Sequence, residues 1–254
     1  MNLQDKRILV TGSSRGIGRA IAEEAARCGA TVVVHGPTDD EELQGAYAAI
    51  SALNPTTIKL AAELSEPEAI AALFQQIDSQ LGGIDALVNT AATQNGSPIL
   101  ELATEDWDRI MAVNLRAPFL CAQHAARGMV ARGAGGTIVN ISSVHAYDPR
   151  RDYAHYSTSK GGLEQLTRCL ALELGEHGIR ANSIVVGAVA TELTPQDRQD
   201  AFGTAIPMGR VGWVDEIARM AAFLCSDACV YQTGSSVTVD GGLTLGFCAS
   251  RRDL

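Results

Sequence analysis

Apolar residues along this chain gather in short β-branched runs that alternate with longer stretches of helical periodicity. The runs RILVT (7–11), TVVVH (31–35), TTIKLA (56–61), IDALVN (84–89), GTIVNIS (136–142), IRANSIVV (179–186) and SVTVD (236–240) predict seven strands. Between them, Ile17 to Cys28, Asp40 to Leu53, Glu66 to Leu81, Glu105 to Arg132, Tyr153 to Glu176 and Val214 to Ser226 are rich in Ala, Leu, Glu and Arg and predict helices. Strands alternating with helices require right-handed crossovers, so the expected fold is α/β, a doubly wound parallel sheet of about seven strands with helices on both faces. The unbroken VVV and IVNI segments suit strands covered from both sides.

The 254 residues, 46% of them hydrophobic, suffice for one substantial core. No linker or repeat interrupts the series, so residues 1–254 read as a single domain of Rossmann-like architecture. One region breaks the rhythm: Thr191 to Gly209, with Pro195 and Pro207, is expected to form a substrate lid beyond a strand end. A net charge of −9 argues against nucleic acid or an anionic membrane as a partner, and an anionic ligand would need a local positive site. The six cysteines lack paired spacing, which argues against a disulfide scaffold, and Cys225 and Cys229 read as buried thiols. No Cys/His set surrounds Cys225 and Cys229, and no metal site is expected. The start, MNLQDKR, carries no signal-peptide core, and no apolar stretch is long enough to span a bilayer, which predicts a soluble cytoplasmic protein.

Directly after the first strand comes TGSSRGIG, with Gly12, Gly16 and Gly18 and a helix opening at Ile17. Glycines let the backbone turn tightly against a pyrophosphate, and free N–H groups at a helix start favour negative charge. The spacing G-x-x-x-G-x-G differs from the general dinucleotide fingerprint, but its place after the first strand of a doubly wound series marks a dinucleotide site. An acid closing the second strand would hold the ribose hydroxyls of NAD and repel the extra phosphate of NADP. That stretch reads His35, Gly36, Pro37, Thr38, with carboxylates only at Asp39 and Asp40, while Arg15 in the glycine turn is a phosphate donor. NADP(H) is favoured, with NAD(H) the alternative.

In YSTSK, Tyr156 and Lys160 stand four residues apart and share a helix face. A lysine cation near a phenol lowers its pKa from about 10 toward the range of a general acid–base. Together with TGSSRGIG, the NTAA of 89–92, Asn114, Ser143 at the end of NISS, and the tail from IPMGRVG through VDGG, this pair resembles the short-chain dehydrogenase/reductase family over essentially the whole chain. The resemblance implies an NAD(P)-dependent hydride transfer between the nicotinamide and a secondary alcohol or carbonyl. Tyr156 would exchange the proton, Lys160 would also hold the nicotinamide ribose, Ser143 would bond the substrate oxygen, and Asn114 would connect Lys160 to a water relay. Gly12, Ser14, Arg15, Gly16, Ile17, Gly18, Gly36, Glu63, Leu64, Asn89, Ala91, Ala92, Tyr156, Lys160, Gly187, Val189 and Thr191 are the expected cofactor contacts. Three positions depart from the family pattern: Asn89-Thr90-Ala91-Ala92 replaces N-N-A-G, Glu63 replaces an Asp at the adenine, and Val186-Gly187 replaces P-G.

The loop VHAYDPRRDYAH before Tyr156 is polar, and with Gln94 and Asn95 it favours a hydroxylated or charged substrate over a steroid-like one. Gln94, Ser143, His145 and Tyr156 are the expected substrate contacts. SSVH with HYSTSKGG is similar to bacterial glucose dehydrogenases, so sugars and polyols come first. The same signature fits 3-oxoacyl-carrier-protein reductases, whose acidic partner would need a basic rim from residues such as Arg127, Arg132 and Arg168. A cofactor-binding regulator without catalysis is a further alternative. The resemblance also implies a homotetramer joined through the long helices around Ala103 to Arg132 and Tyr153 to Glu176.

Overall fold

The computed structural model describes residues 1–192, 204 and 206–245. Its strands and helices alternate as β1 (Arg7–Thr11), α1 (Gly16–Arg27), β2 (Thr31–Gly36), α2 (Glu41–Leu53), β3 (Ile58–Ala61), α3 (Pro67–Leu81) and β4 (Ala86–Asn89). Then follow α4 (Thr104–Met111), α5 (Ala117–Arg132), β5 (Gly136–Ser143), α6 (Ala154–Leu174), β6 (Ile179–Val186), β7 (Val189–Ala190), β8 (Gly212–Trp213), α7 (Val214–Cys225) and β9 (Ser236–Val239). Seven strands form one sheet in the order β3-β2-β1-β4-β5-β6-β9, every neighbouring pair parallel. The chain winds outward from β1 to β3 and then returns to start β4 on the other side of β1. The carboxyl ends of β1 and β4 therefore flank the point where the winding reverses, where crossovers part and leave a crevice.

Period-two alternation decides which helix each strand residue meets. Ile8 and Val10 of β1 pack with Val32, Val34, Val88 and Val139 against α1, α2 and α7. Leu9, Val33, Leu87 and Ile138 face the opposite way, against α3, α5 and the end of α6. Both faces of the sheet are covered, which accounts for the continuous apolar runs of the inner strands.

Two features depart from the pattern read in sequence. The single helix expected over Glu105 to Arg132 is interrupted by a π-helical turn at Ala112–Arg116, closed by the bond from the Ala117 N–H to the Ala112 carbonyl. Pro118 has no N–H to offer the carbonyl of Asn114, so the regular ladder fails there and Asn114 is turned into the interior. The short parallel pair β7–β8 was not expected, because two residues carry no periodicity. It joins Val189 to Gly212 and Ala190 to Trp213, which flank the segment read as a lid, Thr191 to Gly209. Most of that segment, 193–203 and 205, lies outside the described residues. The cysteines at 28, 121, 169, 225 and 229 are free. Among the described residues no helix is long and apolar enough to cross a membrane, and no group of three or more His, Cys, Asp or Glu could hold a metal ion.

Candidate active site

A cleft of about 590 Å³ opens at the carboxyl end of the sheet. Its first wall is the glycine turn. Gly12 has a φ of +63°, and a Cβ there would lie 2.8 Å from the Ala91 Cα; a Cβ on Gly18 would lie 2.2 Å from the Gly12 carbonyl oxygen. The turn folds onto itself and onto the end of β4 so closely that only glycine fits. Thr11, buried at the end of β1, fixes the approach: its Oγ1 accepts from Thr90 N (3.0 Å) and Ala91 N (3.2 Å). Helix α1 begins with no side-chain cap on Arg15 and no acid in its first turn. Its leading N–H groups and dipole are thus left for an anion in the cleft.

His35 completes this wall, a role with no local signal along the chain. Its Nδ1 accepts from Gly12 N (3.1 Å) and its Nε2 stands 3.1 Å from the Ala62 carbonyl. Accepting at Nδ1 fixes a neutral ring with its proton on Nε2. Burial pushes its pKa down to about 4. Ser13 stitches the same contact, with its N–H to the His35 carbonyl (2.8 Å) and its hydroxyl accepting from His35 N (2.8 Å).

The opposite wall comes from β5 and α6. Ser143 closes β5 almost fully buried, and Tyr156 and Lys160 project from the first turns of α6; all three line the cleft. Lys160 donates to the Ile141 carbonyl (2.8 Å), and its Nζ lies 5.7 Å from the centre of the Tyr156 ring. Burial pulls the Lys160 ammonium down to about 8, so it is still protonated at neutral pH. Burial pushes the Tyr156 phenol above its ordinary value, and the Ser143 hydroxyl bonded to it draws the other way. A phenol already acidified by Lys160 is therefore not what this geometry gives. The loss of hydration outweighs, and the ammonium spends its hydrogen bond on Ile141.

Of the expected cofactor contacts, Gly12, Ser14, Arg15, Ile17, Gly18, Glu63, Leu64, Ala91, Ala92, Gly187, Val189 and Thr191 line the cleft with Tyr156 and Lys160. Gly16, Gly36 and Asn89 do not. Asn89 is buried, donating to Asn140 Oδ1 (2.9 Å) in a chain that continues to Thr167, and so ties β4 to β5 and α6. Asn114 is likewise inward: it accepts from Thr93 N (2.8 Å), donates to the Thr93 carbonyl (2.9 Å) and reaches Ser159 (3.3 Å). It clamps the strand-end loop to α6. Gln94 is exposed and outside the cleft lining. His145 is partly buried with its ring edge-on to Tyr156 at 6.4 Å, and its Nδ1 is engaged by the Asp148 carbonyl (3.0 Å). His155 is fully buried against Asn95 (2.9 Å) and supports the loop rather than facing a ligand. Sequence reading missed Thr93, Arg109 and Val113 in the lining, and Tyr153, which stands 6.4 Å from Tyr156 with the Arg150 guanidinium 4.3 Å over its ring. The i, i+3 spacing of Tyr153 and Tyr156 at the helix start was the available signal.

The protein family described as Enoyl-(Acyl carrier protein) reductase matches residues 12–244. A 3beta-hydroxysteroid dehydrogenase 1 from Eggerthella lenta is 36% identical over 249 residues, covering 96% of this chain and 95% of that protein. Glucose 1-dehydrogenase 2 of Bacillus subtilis is also 36% identical, covering 96% of each chain. The chain belongs to the short-chain dehydrogenase/reductase family. Among solved structures of this family, a gluconate 5-dehydrogenase from Burkholderia cenocepacia in complex with NADP and tartrate superposes with a TM-score of 0.90 at 33% identity, covering 96% of this chain and 97% of that one. The enzyme is an NAD(P)-dependent oxidoreductase acting on a small molecule. The uncapped start of α1 and the glycine turn with no space for a Cβ fit the pyrophosphate of such a cofactor.

Proposed function

We propose that this short-chain dehydrogenase/reductase interconverts a secondary alcohol and its carbonyl on a polar, hydroxylated substrate such as a sugar or polyol, with NADP(H) preferred over NAD(H). One observation carries the chemistry: Ser143, Tyr156 and Lys160 line the same cleft as the glycine turn. When bound, the nicotinamide supplies or accepts the hydride. The Ser143 hydroxyl holds the substrate oxygen, and the Tyr156 phenol exchanges a proton with it. Lys160, a cation 5.7 Å from the ring, favours the phenolate and binds the ribose. Asn114 acts as the brace that keeps the Thr93 loop and α6 in register.

NADP(H) is supported at the end of β2. Asp40 is consumed in capping α2, accepting from Leu43 N at 2.9 Å, and Asp39 pairs with Lys59. Neither acid is left to take a ribose hydroxyl, while Arg15 lines the cleft with only an exposed Glu42 at 3.4 Å. His145, Tyr153 and Arg150 around Tyr156 support a substrate rich in hydrogen-bonding groups. The acyl-carrier thioester alternative draws less support, because Arg132 donates to the Ile84 carbonyl beside Asp85 instead of joining a basic rim. We extend the reading to one domain over residues 1–254 and to a homotetramer, with the apolar groove of Phe119, Ala122, Ala126, Val130, Leu170 and Leu174 as a subunit contact.

The deciding experiment is Tyr156→Phe. It should lower kcat by about 10²-fold or more while NADPH still binds; near-normal turnover would end the proposed chemistry. A panel of sugars, polyols, a hydroxysteroid and a β-ketoacyl thioester, each with NADP(H) and NAD(H), tests the substrate class. Turnover confined to the steroid or thioester would reject the sugar assignment.

A further inference from the structure

Lys160 is 3% exposed, yet among the described residues no carboxylate lies within ion-pair distance of it. Among the described residues its one hydrogen bond goes to a neutral carbonyl. A buried ammonium costs several kcal/mol unless negative charge offsets it. One turn later on the same helix stands Glu164, also 3% exposed, and its carboxylate is the charge that acts to raise the proton affinity of Lys160. Glu164 Oε2 receives hydroxyls from three elements: Tyr147 after β5 (2.7 Å), Ser183 of β6 (3.0 Å) and Ser236 of β9. The other oxygen, Oε1, is buried with no hydrogen-bond partner. Hydroxyl donors match a carboxylate, which only accepts, and an unpartnered buried oxygen leaves its charge to be met through space.

We propose that Glu164 is a positioning residue for the reaction, a counter-charge that keeps Lys160 an ammonium inside the fold and so sets the alkaline edge of the working pH range. The proposal rests on the roles assigned above to Tyr156 and Lys160. Among the described residues the groups facing this pair are few. Tyr147, Ser183 and Ser236 surround Glu164; Ile141 and Tyr156 adjoin Lys160; the neighbouring π turn offers neutral Asn114 through Ser159; His145 stands against Tyr156. Arg168, one turn beyond Glu164, is exposed and screened by solvent.

The test is the pH profile of kcat for alcohol oxidation by the full-length enzyme carrying Glu164→Gln, with Glu164→Leu as a second neutral variant of different shape. Without the carboxylate the ammonium is less favoured, so its proton is lost at lower pH. Both variants should lose activity on the alkaline side about one pH unit earlier than wild type, a roughly ten-fold deficit above that edge. Glu164→Asp should restore the edge, and Arg168→Gln should leave it in place. A uniform fall in kcat with unmoved limbs, an equal shift in Arg168→Gln, or a folded Glu164→Asp that loses activity early although it keeps the carboxylate would overturn the counter-charge role. Retained turnover in Tyr156→Phe would instead remove the reading on which this inference stands, so the two failures are separable.

Discussion

The buried His35 makes the stability of the cofactor turn depend on pH in a way that can be calculated. Folding lowers its pKa from 6.5 to about 4, because the ring is desolvated and its Nδ1 is committed as an acceptor to the Gly12 N–H. The folded state therefore holds the neutral ring while the unfolded chain binds a proton below about 6.5. The sign follows: this contribution is fully present above pH 6.5 and is lost as pH falls toward 4. At about 1.4 kcal/mol per pH unit, the difference amounts to about 3 kcal/mol across that window. Replacing His35 by Asn keeps an oxygen near the Nδ1 position without a titrating group. Urea unfolding of wild type and His35→Asn between pH 4.5 and 7.5 isolates the term, because the carboxylates titrating in the same range cancel in the difference. Wild-type stability should fall more steeply than that of the variant, by up to about 1.4 kcal/mol per unit. Parallel pH dependences in the two proteins would refute the assigned tautomer and with it the role of His35 in holding the turn.

Gly18→Ala puts a methyl 2.2 Å from the Gly12 carbonyl oxygen, so the turn must open; NADPH affinity measured by fluorescence titration should fall about ten-fold or more, as expected for about 1.4 kcal/mol or more of lost binding. Leu87→Ala, at a fully buried position of β4, should lower unfolding free energy by about 2–5 kcal/mol in urea with the fold retained. Arg15→Ala should reduce the ratio of NADPH to NADH turnover while leaving NADH kinetics near wild type; an unchanged ratio would place the recognition of the 2′-phosphate elsewhere. Light scattering should report four chains per particle, and Phe119→Asp in the α5–α6 groove should dissociate them.

Much of the fold is legible in the sequence because its signals are local. The β-branched runs at 7–11, 31–35 and 136–142 and the Ala-rich helical stretches carry their own periodicity, and their alternation forces the doubly wound order. The break at Ala112–Arg116 is less visible, since helix-forming residues continue through it and only Pro118 marks the lost hydrogen bond. The site divides the same way. Helix spacing brings Tyr156 and Lys160 together and the family resemblance adds Ser143, but neither says where a buried side chain spends its hydrogen bonds. Asn89 turning to Asn140, His35 reaching back to Gly12 and Glu164 gathering hydroxyls from β6 and β9 are contacts between distant segments, set only when the sheet assembles.

The two-residue clasp of Val189–Ala190 with Gly212–Trp213 separates two demands on one molecule. Its main chain holds the way out of β6 beside the way into α7, while the Val189 side chain within it lines the cleft. A side chain that borders the cleft can thus be exchanged at this edge without the pairing being given up, because the pairing uses only main-chain N–H and C=O groups.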